Sequence, residues 1–400
     1  MEEIELTILM PCLNETETLA ACVLAAKKGL EAAGVSGEIL IADNGSTDGS
    51  QEIARELGAR VVDVPEKGYG NALRGGINAS FGKWILMGDA DASYDFAEAA
   101  RFVEKLRNGD DLVMGCRLPV GGGKIMPGAM PWKNRWIGNP VLSFIGRLFF
   151  KCPAHDFHCG LRAFSRQAYD KLDLQTTGME FASELVIKAT LRQMRISEVP
   201  ITLHKDGRSR PPHLKPWRDG WRHLRFMFLY SPRWLFLIPG LLLTVLGLAL
   251  ATALSFRNIG IGYLELNVGT LMMASMMAIV GFQLVAFAFY TKLFAIAEGL
   301  LPEDSKFTSI FRFFTLERGI VIGLMILLTG LTLLAHSLWI WQQARFGQLP
   351  SMEENLRRII SAATLFMLGF QSVFSSFFMS VLGLKTIKRK PPIPQPADTL

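Results

Sequence analysis

Beyond Pro232 this 400-residue chain carries four long apolar stretches, at about 234–256, 268–290, 319–341 and 359–384. Each reaches the roughly 20 residues that a helix needs to cross about 30 Å of hydrocarbon. They stay apolar around the whole circumference, which buried helices of water-soluble proteins seldom do over such lengths. The spacing therefore predicts a transmembrane domain of four helices over residues 234–384. Half of all residues are hydrophobic, and the rest of the chain is long enough for one sizeable soluble domain, expected at 1–215. A Pro-rich basic tail, 385–400, reads as a disordered end.

The sequence also orients these pieces. Met1-Glu2-Glu3 is acidic and Ile4–Met10 is short and stops at Pro11, so no cleavable export signal is read and the soluble part is expected in the cytosol. Basic residues between Arg208 and Arg233 precede the first span, and Lys385, Lys388, Arg389 and Lys390 follow the last. Four crossings return the chain to its starting side, so both termini are placed in the cytosol. Arg345, Arg357 and Arg358 in the last outer loop weigh the other way, although Glu353 and Glu354 share that loop.

Between domain and membrane, 216–233 places Trp217, Trp221, Leu224 and Phe228 at helical spacing with Arg218, Arg222 and Arg225 on other faces. That is the pattern of a helix lying among lipid headgroups, its arginines turned to phosphate. Phe307–Arg318 reads as a second interfacial segment. No nucleic-acid partner is expected, because the clustered basic residues lead toward the membrane. Homo-oligomers through the spans stay open.

The chemistry gathers ahead of the spans. Asp89-Ala90-Asp91 follows the apolar run Trp84–Met87, and two carboxylates one residue apart in an extended segment point the same way. Hard oxygen ligands so placed suit a divalent cation that also holds a diphosphate. Around them, short strands at about Ile4–Met10, Glu38–Ala42, Arg60–Val64, Trp84–Met87 and Leu112–Met114 alternate with helical segments. Ser46 or Thr47 is expected to cap the helix carrying Ile53 and Leu57. This alternation specifies an α/β domain with a parallel sheet wrapped by helices, whose ligands sit beyond the carboxyl ends of the strands. Pro11, Glu15, Asp43, Asp89, Asp91 and Arg117 all fall on that rim.

All five cysteines, Cys12, Cys22, Cys116, Cys152 and Cys159, precede the spans, and a reducing cytosol keeps them as thiols. Cys152, His155, His158 and Cys159 lie close together, but their spacing is not a paired zinc-ligand pattern.

Pro11-Cys12-Leu13-Asn14-Glu15, Asp43 to Ser50, Lys67-Gly68-Tyr69-Gly70-Asn71-Ala72, Gly88-Asp89-Ala90-Asp91, Gly115-Cys116-Arg117 and Asp156 through Gly160-Leu161-Arg162-Ala163-Phe164 together carry a family resemblance. With these stretches the chain resembles the family 2 glycosyltransferases of GT-A, Rossmann-like fold, and within them the polyprenyl-phosphate sugar synthases, such as dolichyl-phosphate mannose synthase and bacterial undecaprenyl-phosphate glucosyltransferases. Where relatives often have a second acidic residue and a glutamine, this chain has Asn44 and Ser93. The departure at Ser93 leaves the third protein ligand of the metal open.

The resemblance implies a membrane enzyme that moves a hexose from a UDP- or GDP-sugar to undecaprenyl or dolichyl phosphate. It implies Mg²⁺ or Mn²⁺ at Asp89 and Asp91, with Arg117 neutralising further charge. The donor site is expected from Pro11, Asn14, Glu15, Asp43, Lys67, Gly68, Asp89, Arg117 and Arg135. The acceptor phosphate is assigned to Arg135, Asp156, Arg162, Arg208 and Arg210. A lipid monophosphate is already an anion near neutral pH, so it needs cations beside it and no general base. Glu180 and Glu184 are left as helix-start caps, as partners for an arginine, or as a base. Two other readings remain: a processive polysaccharide synthase of the same fold, although its Thr-Glu-Asp and Gln-x-x-Arg-Trp type motifs are missing, and a membrane-tethered binding or flippase-partner protein with a degenerate site.

Overall fold

The computed structural model describes residues 4–209, 216–302, 315–349 and 351–383, and the chain divides into two compact units, Met1–Ser231 and Pro232–Leu400. The first unit opens with β1 (Leu6–Cys12), α1 (Leu19–Ala33), β2 (Gly37–Asp43), α2 (Ser50–Glu56), β3 (Arg60–Asp63), α3 (Tyr69–Ala79), β4 (Trp84–Met87), α4 (Ala99–Arg107) and β5 (Leu112–Cys116). It continues through β6 (Lys124–Ile125), α5 (Asn139–Phe150), β7 (Arg162–Ser165), α6 (Arg166–Leu172), α7 (Phe181–Leu191), β8 (Ile196–Pro200), β9 (Thr202–Leu203) and α8 (Pro216–Leu229).

Seven strands form one sheet in the order β3-β2-β1-β4-β7-β5-β8. β1 pairs in parallel with β2 and β4, with Ile8 opposite Ile39 and Leu86. Side-chain alternation sends Ile8 and Met10 into one buried layer and Leu9 into the other. Such near-continuous apolar strands are what a sheet covered on both faces requires. β7 breaks the parallel run: it lies antiparallel between β4 and β5, with Arg162 opposite both Met87 and Met114. The mostly parallel sheet flanked by helices is the fold anticipated from the sequence, but β7 is an element that the sequence reading did not place.

α8 counts with the first unit. Its inner face buries His223 and Met227, while Trp217 and Trp221 stand 82% and 60% exposed. The expectation that its arginines all face lipid needs correction at Arg222, whose guanidinium reaches Glu180 at 2.7 Å. Most of the second interfacial segment, and the tail, lie outside the described residues.

In the second unit, a π-helical turn at Arg233–Leu237 leads into α9 (Ile238–Phe256). A hairpin of β10 (Ile259–Ile261) and β11 (Leu264–Leu266) follows, then α10 (Val268–Ala297), α11 (Leu316–Gln343) and α12 (Met352–Leu382). Four helices are long and apolar enough to cross a membrane, at Arg233–Phe256, Val268–Ala297, Leu316–Gln343 and Met352–Leu382. Close backbone approach pairs them. A Cβ on Gly281 of α10 would stand 2.8 Å from the Gly240 carbonyl of α9, and one on Gly369 of α12 would stand 2.7 Å from the Gly323 carbonyl of α11. Arg357, read above as an outer-loop cation, is buried in the first turns of α12 and donates to the Leu254 carbonyl at 2.5 Å. A guanidinium there answers the negative end of α9 and its orphan carbonyls, which explains a charge inside a long apolar helix.

Candidate functional site

The carboxyl ends of β1, β2, β4 and β5 lie along one edge of the sheet. At that edge Asp89, Ala90 and Asp91 do not continue β4 as an extended segment. The strand ends at Met87 and the chain bends from Ala90 through Ser93, with Ala92 in the left-handed region at φ 61°. The two carboxylates consequently turn to different partners. Asp89 Oδ1 accepts from the Tyr69 hydroxyl at 3.0 Å. Asp91 Oδ1 accepts from the Ser93 amide at 3.0 Å and from the Ser93 hydroxyl. Asp91 Oδ2 is held by the Arg208 guanidinium, whose Nε also lies 3.5 Å from Glu15 Oε2. Burial, and next the neighbouring Asp91 charge, push the Asp89 carboxyl above the usual carboxylate range. The pair therefore shares one field and calls for positive charge, and in this structure Arg208 supplies it.

Arg208, expected among the acceptor-phosphate groups, is engaged by carboxylates in this structure. It is seated on Asp91, one of the two carboxylates expected to hold a metal, and beside Glu15. Its loop is fastened there by the Gly207 amide to the Asp91 carbonyl at 3.0 Å, the His204 amide to the Ser93 carbonyl at 2.9 Å and the Ser209 amide to Glu17 at 2.7 Å. Ser93 spends its hydroxyl on orienting Asp91.

The turns after β1 and β2 are laced together beside this point. The Asn14 amide donates to Ser46 Oγ at 2.8 Å, the Thr47 amide to Asn14 Oδ1 at 2.8 Å, and the Glu15 amide to Ser50 Oγ at 2.9 Å. The N-cap of α2 is Gly49, and not Ser46 or Thr47; Asp48 just before it accepts from the Ser50 amide at 3.1 Å. Asp43 is almost wholly buried, and Oδ2 accepts from Gly45 N at 2.9 Å, Ser46 N at 3.0 Å and Gln51 Nε2 at 2.8 Å. Burial alone would raise its pKa, but the hydrogen bonds from Ser46, Gln51 and Gly45 outweigh it and hold the carboxyl ionised below its ordinary value. Among the described residues, nothing partners Asp43 Oδ1.

Asn44 ties this corner to the β3–α3 turn. Its Nδ2 donates to the carbonyls of Val64 at 2.9 Å and Glu66 at 2.8 Å, and its Oδ1 accepts from Gly68 N at 2.9 Å. Lys67 Nζ donates to the Asn44 carbonyl at 2.6 Å. Gly68, at φ 135°, takes a conformation that a side chain would oppose. Pro11 lies within β1, opposite Ala42.

Arg117 and Asp156 form a buried bidentate pair, Nε to Oδ2 at 2.7 Å and Nη2 to Oδ1 at 2.8 Å. The Arg117 amide reinforces it at 3.0 Å. Asp156, expected on the acceptor phosphate, is thus the counter-ion of Arg117. With its charge answered in this way, Arg117 is not an open cation for a leaving diphosphate. Arg162 is corrected too. It is fully buried in β7, and its guanidinium donates to the carbonyls of Cys159, Ala182 and Phe157. Its donors hold the chain together and do not face an acceptor. Arg135 lies in the π-helical turn Asn134–Gly138 with its guanidinium 5.4 Å from the Trp136 ring. Arg210 lies outside the described residues.

Glu184 is buried and committed to Lys188 at 2.8 Å and to the Gln175 and Thr176 amides; Glu180 binds Arg222. Neither stands as a base. The Cys152–Cys159 group also disperses: His155 Nδ1 meets Glu198 Oε2 at 2.7 Å and Cys159 Sγ contacts the Leu161 carbonyl. Sequence reasoning missed Tyr69, Glu198, and Tyr94, whose hydroxyl accepts from the Gly160 amide at 2.9 Å. Tyr69 sits inside a quoted stretch, yet only the folded chain reveals its bond to Asp89.

A second polar cluster lies beneath α8. Ser183 Oγ is 2.8 Å from His223 Nδ1 and 3.3 Å from His158 Nε2. Burial drives both imidazoles down, His223 to about 4. Below pH 6.5 the unfolded chain therefore takes up protons that the folded chain refuses, so stability is complete above pH 6.5 and is lost as pH falls toward 4. Between pH 6.5 and 5 the loss from His223 should reach roughly 2 kcal/mol, and His158 adds to it in the same direction. Thermal midpoints of the detergent-solubilised chain should fall across this window, and should fall less in a His158→Gln, His223→Gln variant. Equal slopes in the two proteins would refute this assignment.

Comparison with known proteins adds family context. Residues 7–173 match the family model described as glycosyl transferase family 2, and residues 289–383 match the glycosyltransferase family 2 C-terminal transmembrane region. The low-salt glycan biosynthesis hexosyltransferase Agl6 of Haloferax volcanii is 36% identical over 94% of this chain and 89% of its own length. A dolichyl-phosphate hexose transferase of the same organism is 31% identical over 41% of this chain and 68% of its own. Among solved structures, glucosyl-3-phosphoglycerate synthase of Mycobacterium tuberculosis aligns over 56% of this chain and 79% of that one, at TM-score 0.43 and 20% identity. That likeness is too distant to bear on ligands.

Proposed function

The chain belongs to glycosyltransferase family 2, and on that premise we propose that this integral membrane enzyme transfers a hexose from a nucleoside-diphosphate sugar to a polyprenyl phosphate at the cytosolic membrane face. The observation that carries this reading is the Arg208 guanidinium seated between Asp91 and Glu15 at the carboxyl edge of the sheet. A guanidinium drawn to Asp91 and Glu15 supports this edge as the place for a cation-bound diphosphate. The likeness to a dolichyl-phosphate hexose transferase supports the acceptor class.

The residues fit a divalent cation. Asp89 and Asp91 offer hard oxygen donors, and Mg²⁺ or Mn²⁺ is commonly held by one or two carboxylates with substrate phosphates completing the shell. When bound, such an ion neutralises charge that develops on the departing diphosphate. Asp43 Oδ1, buried, ionised and unpartnered among the described residues, accepts a hydrogen bond from the base or ribose. The laced turns carrying Asn14, Glu15 and Asn44 fix that end, and Tyr69 holds Asp89 in place. Arg208 gives up Asp91 when the donor binds and is then free to turn to the acceptor phosphate, with Arg135 as a further cation. Arg117, braced by Asp156, positions the segment after β5. The phosphate oxygen attacks the anomeric carbon directly in a single displacement with inversion, and the site needs no general base.

A screen of nucleotide sugars with undecaprenyl or dolichyl phosphate in detergent tests this. Acid-labile, lipid-extractable sugar is the expected product. A long polymer would support a processive synthase instead, and absence of transfer a binding protein. Arg208→Ala is expected to raise the apparent KM for polyprenyl phosphate about 10- to 100-fold, the loss of one charge-assisted contact, while nucleotide affinity changes little. An unchanged acceptor dependence would place the phosphate elsewhere.

A further inference from the structure

α5 is apolar on both sides. Its inner face buries Ser143, Gly146 and Phe150 against the first unit. Its outer face carries Val141, Phe144 and Leu148, 48%, 63% and 41% exposed, and Ile137, four residues before Val141 in the π-helical turn that leads into it, is 52% exposed. Trp132 and Trp136 stand exposed just before the helix. A helix that is hydrophobic all round is ordinarily enclosed, so this outer stripe calls for a covering.

Charge and continuity say what covers it. From Met126 through Lys151 the chain has four cations, Lys133, Arg135, Arg147 and Lys151, and no Asp or Glu. Lys133, Arg147 and Lys151 are exposed, and Arg147 and Lys151 border the stripe along one side. α5 also packs beside α8, with the Phe149 and Phe228 rings 5.2 Å apart. α8 exposes Trp217 and Trp221, and only Tyr230, Ser231 and Pro232 separate it from the first span. We propose that the outer face of α5 is a second membrane-docking surface, its apolar stripe entering the acyl boundary and its cations meeting anionic headgroups. A basic-edged apolar face with tryptophans at one end is the composition that lies in that plane. Docking through α5 as well as α8 fixes the tilt of the catalytic unit, because one helix alone leaves rotation about its own axis free. The inference does not depend on which sugar or acceptor the site takes.

The test uses the full chain reconstituted in vesicles of phosphatidylcholine and phosphatidylglycerol, with a nitroxide label at Phe144→Cys, Leu148→Cys or, as the water-facing control on α4, Glu104→Cys. All five native cysteines are buried, so labelling falls on the new thiol. Collisions with oxygen are expected to exceed those with a water-soluble nickel chelate several-fold at 144 and 148, and the order should reverse at 104. Labels at 144 and 148 as accessible to the nickel chelate as the control, or shielded from both reagents as under a second copy of the chain, would overturn the proposal.

Discussion

Asp91→Asn is expected to lower hexose transfer by roughly 10³-fold while leaving the thermal midpoint within a few degrees of the parent, since one preorganised charge interaction at developing charge is worth about 10²–10³. The substitution keeps the side chain's shape and its capacity to accept from Ser93. It removes the negative charge that Arg208 neutralises in this structure and that a divalent cation needs. Titration of Mn²⁺ with a nucleoside diphosphate should show binding in the parent and a large weakening in the variant. Activity that survives both the substitution and a chelator would end the cation account.

The second large effect concerns the buried pair behind the rim. Asp156→Ala should destabilise the protein by about 3–5 kcal/mol, because it leaves the Arg117 guanidinium uncompensated in a site with little access to water. Converting both members to apolar residues of similar size, Arg117→Met with Asp156→Leu, should recover most of that stability. Transfer should stay impaired in the double variant, since the segment after β5 loses its anchor. Chemical unfolding in detergent separates the outcomes: a double variant as unstable as the single one would show that packing, and not charge, is what the pair supplies.

Much of the architecture could be read before folding, for physical reasons that differ from element to element. The spans declare themselves because crossing hydrocarbon demands length and apolarity, which a sequence displays directly. β1, β2 and β4 are runs of Ile, Leu and Met that a doubly covered sheet needs. β7 was invisible because Arg162-Ala163-Phe164-Ser165 begins with an arginine, and nothing local reveals that carbonyls of Phe157, Cys159 and Ala182 will surround it.

The rim shows the same divide. Asp43, Asp89 and Asp91 were singled out from their positions at strand ends, and the structure brings them to the same sheet edge. Their partners were not, since Arg208 lies 117 residues from Asp91 and the Asp156 that engages Arg117 lies 39 residues away. Both were read as phosphate ligands, because a count of charges along the sequence does not show which of them neutralise one another inside the fold. Arg357 is the membrane counterpart, a cation that looked like a topology signal and turned out to answer a helix end.

The most direct test of the central claim is a structure of the full chain with Mn²⁺ and a nucleoside diphosphate. The account predicts the ion on Asp91, the base or ribose donating to Asp43 Oδ1, and the Arg208 guanidinium withdrawn from Asp91. Arg208 still seated on Asp91, with the diphosphate bound elsewhere, would contradict it.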